Sequence, residues 1–253
     1  MTAELLNWAI AVFLVFCRVG GCMMHAPGLS GQRIPMQFRL LLAVGLSVEL
    51  GTLIVNERDH QLFSWSADQK LIAIIAELFA GIFIGMLARL FIVSVQFAAT
   101  AAAASIGLAG IPGVQLDAEE SGSPLSTLAS LTAVTLIVIL DLHAEMIRAL
   151  ADSYSMLPIG DPLSIGWASS SLSDLLSGTT MLALRLAAPF LVYGIVANVA
   201  VGLANKFSPQ VTVYHSTTGI VMMTGLILLW LAIPEWFRAF SEEYRAWLLE
   251  GGL

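Results

Sequence analysis

The chain has 253 residues, 58% of them apolar and 11% charged, with a mean hydropathy of +0.86. Those values lie far from soluble averages and point to a membrane protein. A net charge of −7 argues against nucleic acid as a partner, because binding it needs a basic footprint.

Six windows are apolar over enough residues to cross or enter a bilayer: 5–24, 38–55, 71–97, 125–147, 179–204 and 211–233. A spanning helix needs roughly 17 to 25 such residues. Their Leu, Ala, Ile and Met content predicts an all-α, polytopic fold in a single domain over 1–253. The first window carries Arg18, lacks a small-residue cleavage site and runs into Pro27 and Gly28, so it is expected to be a retained helix. Cys17 and Cys22 lie five apart in it. That spacing does not place them side by side on a helix, so they are read as core residues.

The second window carries Glu49. In the third, Glu77, Gly81, Gly85 and Arg89 recur at every fourth position, a slowly winding stripe about 18 Å long. Gly81 to Gly85 is a GxxxG step, which lets another helix approach closely. The stripe fits either an internal helix contact or a neighbouring subunit. The window continues into FAATAAAASIGLAGIPG, whose small residues pack tightly or line a narrow passage. Gly107, Gly110, Pro112 and Gly113 make a continuous helix improbable from there on. The loop has an apolar half with Leu108, Ile111, Val114 and Leu116, then the carboxylates Asp117, Glu119 and Glu120. Non-helical backbone at membrane depth is tolerated only inside protein or beside a water-filled cavity.

Asp141 falls in the fourth window and Arg185 in the fifth, and the serine run 169–171 between them reads as a polar connection. Arg18, Glu49, Glu77, Arg89, Asp141 and Arg185 are thus intramembrane charges. Each would cost about 2.5 to 3.5 kcal/mol facing lipid at mid-membrane. They must face protein or water, so the chain either encloses a polar cavity or shares its helices with partner subunits. Lysines and arginines near the window ends give no clean orientation. His25, His60, His143 and His215 are scattered, and none has a partner at metal-ligand spacing. With no nucleophile elbow, phosphate loop or dinucleotide fingerprint either, the chain is read as non-enzymatic, with no catalytic, cofactor-binding or metal residues. A solute transporter is a rival reading, but it would show repeats with matching breaks in its two halves, and none stands out.

Four patterns then line up in order: FCRVGGCMMHAPGLSGQRIPMQFRLLLA with Arg18, Pro27, Pro35 and Arg39; AELFAGIFIGMLARL with Glu77 and its paired glycines; DLHAEMIRALADSYSMLPIG with His143, Ser153, Pro158 and Gly160; and LRLAAPFLVYGIVANVAVGLANKFSPQVTVY with Pro189, Asn198, Gly202, Pro209 and Gln210. Over about residues 12–230 the sequence resembles the FliR family of flagellar type III export components, whose injectisome relatives include SctT, SpaR and YscT. It departs from the family's usual Asp-Pro, where LDAEESG stands, and has Tyr214 with HSTTG in place of an Asn-Val-Phe and Gly-Phe-Pro run.

The resemblance implies an export-gate subunit of helical hairpins with broken helices. It would assemble with FliP and FliQ homologues into a helical hetero-oligomeric ring, with FlhB and FlhA nearby. Its place would be the flagellar basal body in the bacterial inner membrane, with exported flagellar proteins as cargo. Ring neighbours would give the buried charges partners, and the loop from Gly107 onward (Gly107, Leu108, Gly110, Ile111, Pro112, Gly113, Val114, Leu116) would plug the closed pore. The flagellar branch is favoured over the injectisome branch.

Overall fold

The computed structural model describes residues 2–29, 34–54, 65–108, 123–207 and 213–249, and among them there are helices and no strand. In chain order these are α1 (Thr2–His25), α2 (Met36–Ile54), α3 (Ala67–Ser105), α4 (Pro124–Ile139), α5 (Leu142–Met156), α6 (Ile165–Phe207) and α7 (Val213–Leu249). Five are long and apolar enough to cross a membrane, and the bent pair α4 and α5 would make a sixth.

Over their described residues every apolar window but the fourth lies on a single helix, and three of these helices run well past their windows. The alanine-rich run 98–104 extends α3 to 39 residues, about 58 Å along its axis and roughly twice the hydrocarbon core. The serine run 169–171 is helical rather than a connection and belongs to the first turns of α6. Ser169 and Ser170 direct their hydroxyls back to the Gly166 and Trp167 carbonyls, so this polar stretch satisfies itself within the helix. α7 continues through Pro234 to Leu249.

The fourth window is broken, although its second half also runs on to Met156. α4 and α5 meet at an angle of 74°, and Asp141 stands between them at φ 56°, ψ 19°. Aspartate tolerates this left-handed conformation because its short polar side chain can bond locally. The turn closes with Asp141 N–H donating to Val138 O at 3.2 Å and Ala144 N–H donating to Asp141 O at 3.0 Å.

The helices form two compact units. The first comprises residues 1–90, 137–176 and 244–253, and the second residues 91–136 and 177–243. In the first, Val15, Val19, Cys22 and Met23 of α1 pack with Ala43 and Leu50 of α2, Ile84 of α3, and Leu150 and Tyr154 of α5.

The core of the second unit mixes very small with large residues. Ala98, Ala99, Ala102 and Ala103 are fully buried on α3, and Phe190 and Phe240 are fully buried on α6 and α7. A Cβ on Gly225 would lie 2.5 Å from Ile106 Cγ2, and one on Gly194 would lie 3.1 Å from Ser105 Cβ, so α6 and α7 both approach the end of α3 closely. Pro189 removes the donor that would otherwise meet the Arg185 carbonyl. One residue further on, Trp236 Nε1 donates to Leu186 O at 3.1 Å while its ring meets Phe190 edge-on at 5.4 Å. Tyr193 likewise donates across to the Val221 carbonyl. These bonds tie α6 to α7 beside the proline of α6.

Trp236→Phe should therefore be mild, losing one hydrogen bond worth about 0.6 kcal/mol in membrane hosts. Trp236→Ala should cost several times more, about 3 to 5 kcal/mol, because it also empties a packed site. Thermal melting of the detergent-solubilised protein ranks the two. Equal melting temperatures for both variants would contradict this account of the α6–α7 contact.

Candidate functional site

The first unit is organised by a crossing of α1 and α3 at which their backbones touch. A Cβ on Gly21 would lie 2.9 Å from Leu78 O and 3.1 Å from Ile82 N. One on Gly81 would run into the Arg18 carbonyl, with the Arg18 carbonyl carbon at 2.8 Å, and one on Gly85 would lie 2.5 Å from Cys22 O. The GxxxG step thus faces α1 of the same chain, with Gly21 completing the contact from the other side. Such proximity is what small residues allow at helix interfaces in lipid, where no hydrophobic drive holds helices together.

One turn before Gly81 the same face of α3 presents Glu77, and the crossing delivers it to Arg18. Both side chains are fully buried. Arg18 Nε donates to Glu77 Oε2 at 2.7 Å and Nη2 to Oε1 at 3.0 Å, the bidentate geometry that a planar guanidinium can make and an ammonium cannot. The rest of the fork is also used: Nη1 donates to Ser153 Oγ at 3.1 Å and Nη2 to Leu157 O at 2.9 Å. The Tyr154 ring lies 3.7 Å from the guanidinium carbon, a cation–π contact. Gly160 N–H donates to Glu77 Oε1 at 2.9 Å and Tyr154 O–H to Oε2 at 3.4 Å. Gly160 has φ +85°, and a Cβ there would meet Trp65 Cη2 at 2.7 Å. Two helices, α5 and the turn after it are thereby held by one neutral pair whose polar atoms are nearly all satisfied.

The other charges of the sequence reading lie elsewhere. Glu49, Arg89, Asp141 and Arg185 are exposed on the chain as it stands. Asp141 marks the α4–α5 bend. Arg185 is within electrostatic reach of Glu235 in its own unit, and Glu235 also forms an ion pair with Arg238 at 2.7 Å. His143 is exposed, and Glu145 pairs with Arg148 at 2.7 Å. Among the described residues no group of three His, Cys, Asp or Glu side chains is placed to hold a metal.

Of the loop residues, Gly107 has φ +84° and closes the end of α3 with a bond to Ala104 O at 3.3 Å, and Leu108 follows it. Gly110, Ile111, Pro112, Gly113, Val114 and Leu116 lie outside the described residues, as do Pro209 and Gln210. Ser153 and Gly160, noted in the sequence only for their pattern, converge on the ion pair. Arg39 donates to the Ile34 carbonyl at 3.1 and 2.9 Å and so fixes the entry to α2. Tyr154 and Gly21 carried no signal of their own. What could have pointed to the node is the opposite sign of two costly charges, Arg18 in the first window and Glu77 in the third.

A family model described as bacterial export proteins, family 1, matches residues 9–247. The chain belongs to this family. It is similar to the flagellar biosynthetic protein FliR of Caulobacter vibrioides, 28% identical over 232 residues that cover 92% of each chain. It is also similar to the FliR proteins of Escherichia coli, at 26% over 94% of this chain and 92% of that one, and Pectobacterium carotovorum, at 22% over 91% and 87%. The chain is therefore a FliR-family membrane protein of the flagellar export apparatus, from a family of export components not known as enzymes.

Two predictions follow from this crossing. Gly81→Ala should abolish accumulation of folded protein, whereas Gly20→Ala, where a Cβ meets nothing within 4 Å, should be neutral or slightly stabilising by about 0.5 to 1 kcal/mol. Immunoblots of membrane fractions read both, and comparable levels for the two would refute the close crossing. Arg18→Met or Glu77→Leu alone should destabilise by about 3 to 5 kcal/mol, because each strands a buried charge, while the double substitution should recover much of the loss. A double variant as poor as the worse single one would show that the pair is not what couples these helices.

Proposed function

We propose that this chain is a subunit of the flagellar type III protein export gate, forming with FliP and FliQ homologues the channel through which flagellar proteins leave the cell. FlhB and FlhA homologues would lie nearby, at the flagellar basal body in the inner membrane, and the two units would act as one export-gate domain. The observation that carries this reading is that Glu49 and Arg89 are exposed on helices otherwise fit for lipid. Arg89 stands 22 residues from the start of α3 and 16 from its end, at least about 24 Å along the axis from either. It falls inside the apolar window 71–97, where a guanidinium facing lipid is costly and a protein partner or an aqueous passage removes the cost. A ring of subunits around a channel offers both. The flagellar names of the relatives favour this branch over an injectisome, and the long exposed apolar faces of α6 and α7 suit a subunit covered by others.

In this reading the segment from Gly107 to Leu116 closes the resting channel, its glycines and Pro112 breaking the helix and its apolar residues filling a narrow lumen. Tagged chain expressed with its neighbouring export genes should bring down FliP and FliQ homologues, and it should be monodisperse only with them. Equal yield and monodispersity when expressed alone would overturn the gate reading. Shortening residues 108–116 should leave the complex assembled but make cells take up small dyes and conduct ions. An assembled complex in a membrane as tight as wild type would show that this loop is not the plug.

A further inference from the structure

The second helix has two seams. Ala43, Ser47, Leu50 and Gly51 are buried, with Gly51 so close to α1 that a Cβ would lie 2.7 Å from Val12 Cγ2. On the opposite side Phe38, Leu42, Gly45, Glu49 and Thr52 are all exposed. They are spaced 4, 3, 4 and 3 apart, the repeat by which two helices wind about each other with a left-handed crossing. No described residue lies within 4 Å of where a Cβ on Gly45 would be, which leaves room for a second helix to approach there, one turn from the carboxylate.

We propose that this outer seam of α2 is a docking face for a helix of a neighbouring membrane subunit, one that carries a lysine or arginine at the level of Glu49. The proposal rests on the export-gate reading and names one of its contacts. Lipid is a poor occupant. Glu49 lies five residues, about 8 Å, inside the end of α2 at Ile54. Cα–Cβ bonds tilt toward a helix's N-terminus, so its carboxylate points back toward the middle of the helix and away from the near end. The side chain is too short to reach the far end, some 13 residues away at Met36. A cation on the partner neutralises it, the open position at Gly45 sets the close approach, and one charged position within an apolar seam fixes the register, as a single polar seam residue does in coiled coils.

The test uses the full chain, tagged and expressed with its FliP and FliQ homologues. Gly45→Leu and Glu49→Leu should each reduce the co-purifying partner about tenfold or more, as expected for a desolvated ion pair and a blocked approach. The level of the chain in the membrane should hold, because a Cβ at position 45 meets no described residue within 4 Å and Glu49 is exposed. Glu49→Arg should lose the partner too, and reversing the matching basic residue on the partner to glutamate should restore it. A benzophenone side chain at position 42 should cross-link to that partner helix. This arm keeps Gly45 and Glu49 intact and so remains decisive if a variant fails to accumulate. Undiminished co-purification of both leucine variants, or adducts only with lipid or with a second copy of this chain, would overturn the docking face while leaving the gate reading standing. If wild-type chain brings down no partner, the gate reading itself falls and the docking face with it.

Discussion

The contact of glycine with peptide backbone between α1 and α3 is the constraint from which the rest of the first unit follows. With any side chain at Gly81 the Arg18 carbonyl would be struck, and with any at Gly85 the Cys22 carbonyl. The helices would then stand further apart, and a fork that now reaches Glu77 at 2.7 and 3.0 Å would stop short. Two full charges in a dry environment tolerate no such gap, because desolvation is recovered only when geometry and secondary hydrogen bonds are nearly complete. The spare donors of Arg18 accordingly reach Ser153 and Leu157, and Glu77 takes an N–H from Gly160. These groups order the end of α5 and the turn beyond it, so a steric fact at two glycines spreads through an electrostatic pair into a third segment.

Two contrasting kinds of charge lie on the apolar helices α1 to α3. Arg18 and Glu77 are matched inside the fold and add nothing to its outer surface. Glu49 and Arg89 are left on the surface of helices that are otherwise apolar, as a protein partner or an aqueous passage would require. The stripe on α3 shows both kinds on one helix: Glu77, Gly81 and Gly85 look inward, and Arg89, four residues further, is exposed. A four-residue repeat turns by about 40° per step on a helix of 3.6 residues per turn, and over three steps that carries the last member off the face shared by the first three.

That drift also marks how far the sequence could be read. The helices were legible because apolar windows of bilayer length have few alternatives. Their ends were not, because an apolar window measures fitness for lipid and not helicity: the serine-rich residues 165–178 are helical too, with the Ser169 and Ser170 hydroxyls satisfied on their own helix. The bend at Asp141 was hidden because a left-handed aspartate leaves no mark in hydropathy. Arg18 and Glu77 stood out as costly, yet nothing local says that residues 59 apart satisfy one another. Tyr154 was invisible for the plainer reason that a tyrosine among leucines and alanines is an ordinary core residue until a guanidinium is found over its ring.

Stability supplies the last step. If Glu49 and Arg89 both faced lipid at depth, the combined penalty would be roughly 5 to 7 kcal/mol on insertion scales, comparable with the whole folding free energy of a typical domain, about 5 to 15 kcal/mol. Among the described residues no ion pair to Glu49 or Arg89 offsets this, although Arg18 has one. A chain that neutralises one buried pair so completely, yet leaves two charges exposed on membrane helices, is what the proposed export gate, with neighbours around those charges, would require. That is the physical content of assigning it to an assembly, and it bears on those two residues independently of what its relatives are called.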